Sequence, residues 1–186
     1  MNREKAAKLI VGVFCIVLIY NLVTLYKFKY KLTEYTIEDI KEYAVEMENL
    51  ISENSDLLTE VINTGELKYD DSTRFKYNQN EIHNSFVSIL TKLRLIKPEA
   101  YIKKHMDLHI SKSTELEILD LYISIEKDFD DTGTSILRED YIKDLEIILN
   151  AYEFYESTLD EMIEKINKKD KSWIDELNEL YIFDIY

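Results

Sequence analysis

The chain has 186 residues and a formal charge of −14, a size that suits one apolar segment plus one domain of ordinary dimensions. So acidic a chain repels phosphate backbones, which argues against a nucleic-acid partner. Three glycines and one proline leave β-turns and glycine-rich phosphate loops scarce, while abundant Leu, Ile, Glu and Lys favour helices. Lysine outnumbers arginine 19 to 4, a bias associated with AT-rich bacterial genomes.

Residues 1–8 form a short basic tail. Leu9–Tyr26 then runs without a charge, and only Asn21 and Thr24 interrupt it with strongly polar side chains. As a helix these residues reach roughly 27 Å, close to the hydrocarbon thickness of a bilayer. No small-residue pair follows the apolar run, as a cleavable signal peptide requires. Phe14 precedes Cys15, where a lipoprotein signal wants a small residue. An uncleaved transmembrane anchor is therefore expected over residues 9–26.

Residues 27–35 read as a juxtamembrane stem. Lys27, Lys29 and Lys31 alternate with Tyr26, Phe28 and Tyr30, the pattern of an aromatic belt with snorkelling lysines. Lipid contact is thus expected across residues 9–31. Residues 1–32 carry a net charge of +5 and residues 33–186 a net of −19. The basic flanks of the span nearly balance. A short tail with three bases is nevertheless harder to translocate than a long domain, so the N-terminus is expected inside and the acidic domain outside.

Residues 36–186 read as an acidic helical bundle. Thr36 is placed to cap its first arm, with Asp39 in the first turn. Apolar side chains then recur at Ile37, Ile40, Ala44, Met47, Ile51, Leu58 and Val61, with Asn54 in the one missing slot. Tyr43, Leu50, Leu57 and Ile62 widen this stripe beyond a two-stranded coiled-coil seam. A stop is expected at Asn63-Thr64-Gly65, followed by a loop over 65–71. The second arm carries Phe75, Ile82, Phe86, Ile89, Leu93 and Ile96, with a gap at Gln79, and ends at Lys97-Pro98.

The third arm divides into Pro98 to about Ile110 and Thr114 to about Phe129. Thr114 and Glu117 form a capping box, and a bend is expected near Lys112. The fourth arm starts at Thr134 or Ser135 and follows Tyr141, Leu145, Ile148, Tyr152, Tyr155, Leu159, Met162 and Ile166 without a gap. Lys168 and Lys169 complement its C-terminal dipole. A short last helix, capped by Ser172, carries Trp173, Ile174, Leu177, Leu180 and Tyr181. The expected fold is all-α: an N-terminal transmembrane helix, then an antiparallel up-down four-helix bundle with a short C-terminal helix.

Few residues point to chemistry. Asp128, Asp130, Thr132, Gly133, Thr134 and Glu139 fall on positions 1, 3, 5, 6, 7 and 12 of an EF-hand calcium loop. Thr132 is a weak ligand, however, and Ser135 stands where an apolar residue belongs. The competing reading is an acidic helix end with Gly133 as its C′ residue. His105 and His109 share a helix face at the spacing of zinc ligands, with His83 as a distant third, but polar histidines at the surface or rim account for them better. Tyr152 and Tyr155 are expected in the core or at its rim, with the hydroxyl reaching water. Tyr181, Phe183, Ile185 and Tyr186 form an apolar end able to dock on the bundle or on a partner.

No catalytic signature of the Ser-His-Asp, P-loop, C-x-x-C or Glu-x-x-His kind occurs, so no enzymatic activity is expected. The leading expectation is a membrane-anchored protein that binds another protein, or itself, as an accessory, adaptor or immunity-type factor. The alternative is an extracytoplasmic domain sensing a small ligand or a cation, with calcium at residues 128–139 the one cofactor considered.

Overall fold

One helix, α1 (Arg3–Thr64), carries the apolar segment and the first arm of the bundle without a break. The computed structural model describes residues 3–98, 118 and 120–180. At 62 residues, α1 is roughly 93 Å long. No glycine or proline occurs between Val13 and Thr64, so nothing forces a stop where the stem meets the bundle. The expected cap at Thr36 is accordingly not there. Thr36 Oγ1 donates to the Leu32 carbonyl at 2.7 Å, and Thr24 and Thr33 bond one turn back in the same way. A hydroxyl satisfied inside the helix has no call to cap one.

Burial changes along α1 where the sequence changes character. Side chains from Val11 to Leu32 are exposed, and burial begins at Thr36. From there Ile40, Ala44, Met47, Ile51, Leu58 and Val61 enter the core, as their spacing predicts. Gly65, at φ 67°, ends the helix in the left-handed conformation that glycine adopts cheaply.

The stretch expected as a loop instead holds a strand, β1 (Glu66–Lys68), and the start of α2 (Tyr69–Ile96). Helix α2 buries Phe75, Ile89 and Leu93 and stops ahead of Pro98, whose ring disfavours helical geometry in the preceding residue. Of the third arm, residues 120–126 are helical. His105, His109, the Thr114–Glu117 box, the bend near Lys112 and the apolar end Tyr181–Tyr186 lie outside the described residues.

Strand β2 (Thr134–Ile136) pairs antiparallel with β1, in the register Glu66↔Ile136, Leu67↔Ser135 and Lys68↔Thr134. This moves the start of the fourth arm: α3 begins at Glu139, not at Thr134 or Ser135, and runs to Asn167. The backbone of 134–136 is committed to the ladder and cannot also make helical bonds. The short helix α4 (Trp173–Glu179) follows, but Ser172 makes no side-chain cap. Asp170 Oδ1 instead accepts the Ser172 N–H at 2.9 Å.

Cross-helix contacts fix the directions. Lys92 pairs with Asp39, Ser85 with Glu46 and Asn78 with Asn54, so α2 returns antiparallel to α1. Phe75 meets Tyr122, and Ser72 and Lys76 meet Glu126, which turns the 120–126 segment back again. Helix α3 meets α1 at Tyr152–Asn54 and again near Ile37 and Ile166. The arms thus run up, down, up and down. The two-stranded sheet joins both connections at the end far from the apolar segment, while α4 buries Trp173 and Leu177 at the near end. The architecture is mostly α, with the sheet as a small addition to it.

Candidate functional site

The loop at the sheet end is built around one aspartate. After the 120–126 segment, the Asp128 N–H bonds to the Ile125 carbonyl at 3.0 Å, and the chain turns through Gly133 at φ 73°. Asp130 Oδ1 accepts the Thr132 hydroxyl at 2.6 Å and the N–H groups of Thr132 and Thr134 at 2.8 and 3.1 Å. Those bonds, the Thr132 hydroxyl first, hold the Asp130 carboxyl below the usual range. The Tyr69 N–H, bonding to the Gly133 carbonyl at 2.8 Å, ties the loop to the start of α2.

The six loop positions singled out from sequence are therefore only partly brought together. Asp130, Thr132 and Thr134 share one turn. Asp128 is exposed, and Glu139 opens α3 with its carboxylate 3.2 Å from Lys143 Nζ. Ser135 is buried, with its hydroxyl unpartnered among the described residues. Ile136 beside it is 80% exposed. Among the described residues no three His, Cys, Asp or Glu side chains gather as a metal site requires. His83 sits half-buried on α2.

In the middle of the bundle, the lapses in the two apolar stripes meet. Asn54 and Gln79 are both buried, and the Tyr152 hydroxyl lies between them, donating to Gln79 Oε1 and accepting Asn54 Nδ2. Asn54 Oδ1 in turn accepts Asn78 Nδ2 at 3.0 Å, and Asn78 Nδ2 also reaches Glu53 Oε2 at 3.0 Å. Glu53 pairs with Arg74 at the surface. The Tyr152 hydroxyl thus bonds inside the core and does not reach water. Tyr155 does sit at the rim, and burial pushes its phenol up to about 12.

No family model, curated protein or solved structure matches this chain. What the site can do is therefore read from its own geometry. The buried polar chain links α1, α2 and α3 through side chains that find partners only in one alignment, which specifies register more than it adds stability.

Two charged groupings escaped sequence reading, because each joins arms distant in the chain. Burial raises the Glu126 carboxyl, but the hydrogen bonds from Lys76 and Ser72 and the Lys76 charge outweigh it, so the net shift is downward. A depressed carboxyl contributes stability that is present above its unfolded pKa and lost as pH falls through the folded one.

Glu48 is the opposite case. Burial first, then repulsion from Asp160 and Glu156 on α3, raises its carboxyl. Its ionised form therefore destabilises the fold at neutral pH, and protonation relieves this as pH falls through the raised pKa. Glu48→Gln is expected to stabilise the bundle at pH 7 by up to about 1 kcal/mol after solvent screening. The gain should shrink as the pH is lowered towards about 4, because the wild-type carboxyl takes up its own proton as pH falls through the raised pKa. Thermal melting of both proteins at the two pH values reads this out, and a gain independent of pH contradicts the assignment.

Proposed function

We propose that the protein is a non-enzymatic, single-pass membrane protein whose helical bundle binds another protein as an accessory, adaptor or immunity-type factor. The observation that carries the reading is the continuity of α1. Its apolar half is long enough to cross a membrane and is not buried by the bundle, while its other half lines the core. Helix without a hinge makes the bundle a stiff post. From Tyr26 to Thr64 the helix rises roughly 57 Å, which sets the sheet end at that height above the bilayer.

The sheet end carries features suited to a partner protein. Ile136 and Tyr69 are exposed apolar side chains, surrounded by Glu66, Asp70, Asp131 and Glu139, which are also exposed. An apolar contact rimmed by charge is the usual anatomy of a protein interface. The N-terminus is inside and the bundle outside in this reading, on the argument that a short basic tail resists translocation. A reporter fused at Tyr186 tests that orientation; activity confined to the cytoplasm reverses it.

The decisive experiment is photo-crosslinking in native membranes from a photoreactive residue at position 136, followed by mass spectrometry. A discrete adduct with a different protein is expected at position 136 and none from a matched probe at Tyr77 on the side of the bundle. Self-adducts alone, or no adduct, remove the adaptor reading. The alternative reading, a cation-sensing domain, requires Asp130 to ligate through Oδ2, since Oδ1 already accepts three donors, and Glu139 to be drawn away from Lys143. It predicts a melting temperature that rises at millimolar calcium, which the adaptor reading does not.

A further inference from the structure

At the end opposite the sheet, a groove of about 660 Å³ lies between α1, where it leaves the apolar segment, and the α3–α4 turn. Tyr26, Tyr30, Ile37, Ile166 and Trp173 give it an apolar wall, and Lys29, Lys169 and Lys171 a basic one. The lysines come from positions some 140 residues apart, so their meeting is invisible in the sequence pattern.

The charges of the groove are unequal in what they have left to bind. Two of its three carboxylates are engaged, Glu38 with Lys41 at 3.3 Å and Asp170 with the Ser172 N–H, and the third, Glu34, lies one turn along α1 from Tyr30. Among the described residues, Lys29, Lys169 and Lys171 have no such partner. Lys169 moreover occupies a left-handed position, at φ 56°. There the backbone closes α3 by bonding Asp170 N–H to the Lys165 carbonyl at 2.9 Å, a place that glycine fills at lower cost.

We infer that this groove seats the phosphate-bearing headgroup of an anionic phospholipid, held by Lys29, Lys169 and Lys171. The inference rests on the membrane placement proposed above. Three ammonium groups supply donors that match phosphate oxygens. The groove opens at Tyr26, where the exposed apolar run of α1 ends, so acyl chains can follow Leu22 and Leu25 into the bilayer while the headgroup stays between the lysines. An aqueous phosphate ion would have no use for that apolar wall, which is why a lipid is the occupant. Bound there, the lipid bridges the anchor and the last turn of α3, and offsets the repulsion between the acidic bundle and an anionic surface.

Trp173 lines the groove and is the only tryptophan in the chain, so its fluorescence reports on occupancy. The full chain in non-ionic detergent is titrated with monomeric dihexanoyl phosphatidylglycerol, dihexanoyl phosphatidylcholine or inorganic phosphate. Phosphatidylglycerol is expected to give a saturable change in emission, at a half-saturation roughly tenfold below that of phosphatidylcholine. Lys169→Gly with Lys171→Gln should abolish the preference, and the backbone at 169 accepts glycine without strain. Lys29→Gln, outside that turn, should weaken it, whereas Lys68→Gln with Lys127→Gln at the sheet end should leave it intact.

Equal responses to the two lipids, a preference that survives both groove variants, or an equal response to inorganic phosphate overturns the inference. Alkaline carbonate extraction separates its failure from that of the membrane reading. A chain that stays in the membrane pellet yet shows no lipid preference loses only the headgroup site; a chain released to the supernatant loses both.

Discussion

Phe75→Ala is expected to destabilise the bundle by about 3–5 kcal/mol, the range for removing a buried aromatic from a packed core. Phe75 is 1% exposed and stacks on Tyr122 with ring centroids 4.1 Å apart and planes at 17°. Its other side meets Tyr152, with centroids at 6.0 Å. Phe75 therefore touches the third and fourth arms from the second, and its loss opens a void that none of the three helices can close by itself. In a chain of this length each kcal/mol lowers the melting temperature by about 2–4 °C, so a fall of roughly 10 °C is expected by circular dichroism in detergent. Tyr77→Ala, on the exposed face of the same helix, should change stability by no more than about 0.5 kcal/mol. Similar losses at both positions would mean that the described packing around Phe75 is not what holds the arms together.

The arms themselves were legible because they are periodic. Tyr141, Leu145, Ile148, Leu159, Met162 and Ile166 follow helical spacing and are all buried. The stops at Gly65 and Lys97 were legible for a similar reason, since glycine and proline act on the backbone locally. What local reasoning missed was decided by distant partners. Thr36 has the chemistry of a cap, but capping competes with bonding to the preceding turn, and an uninterrupted helix settled the competition. Residues 134–136 look like a helix start, yet β1, nearly 70 residues earlier, takes their hydrogen-bonding groups. The same redirection affects the loop at 128–139. Spacing alone lines up Asp128, Asp130 and Glu139, while the folded backbone leaves only Asp130 as the centre of the turn. Lys169 reads with Lys168 as a dipole partner for α3, and only the fold carries it and Lys171 to Lys29.

Tyr152→Phe is expected to cost about 1–3 kcal/mol although it removes a single oxygen. The deletion leaves Gln79 Oε1 and one Asn54 Nδ2 donor in the core without the partner they now share. Adding Gln79→Leu to Tyr152→Phe should return part of that loss, because an apolar pair needs no hydrogen bond there, while the Asn54 Nδ2 donor stays without the hydroxyl. The double-mutant cycle should accordingly give a coupling of about 1–3 kcal/mol between positions that are 73 residues apart in sequence. Additive effects would show that the hydroxyl bond is not formed. Stability is the smaller part of the matter, since a helix can slide on its neighbour by one turn, about 5.4 Å, and still bury apolar side chains. Such a slip of α1 against α3 would part Asn54 from Tyr152 and carry Glu66 away from Ile136, disconnecting the strands at the far end. Amide exchange of Leu67 and Ser135 reads this directly. Protection there should fall in the apolar double variant even where its melting temperature recovers, because the side chains that select the register are gone.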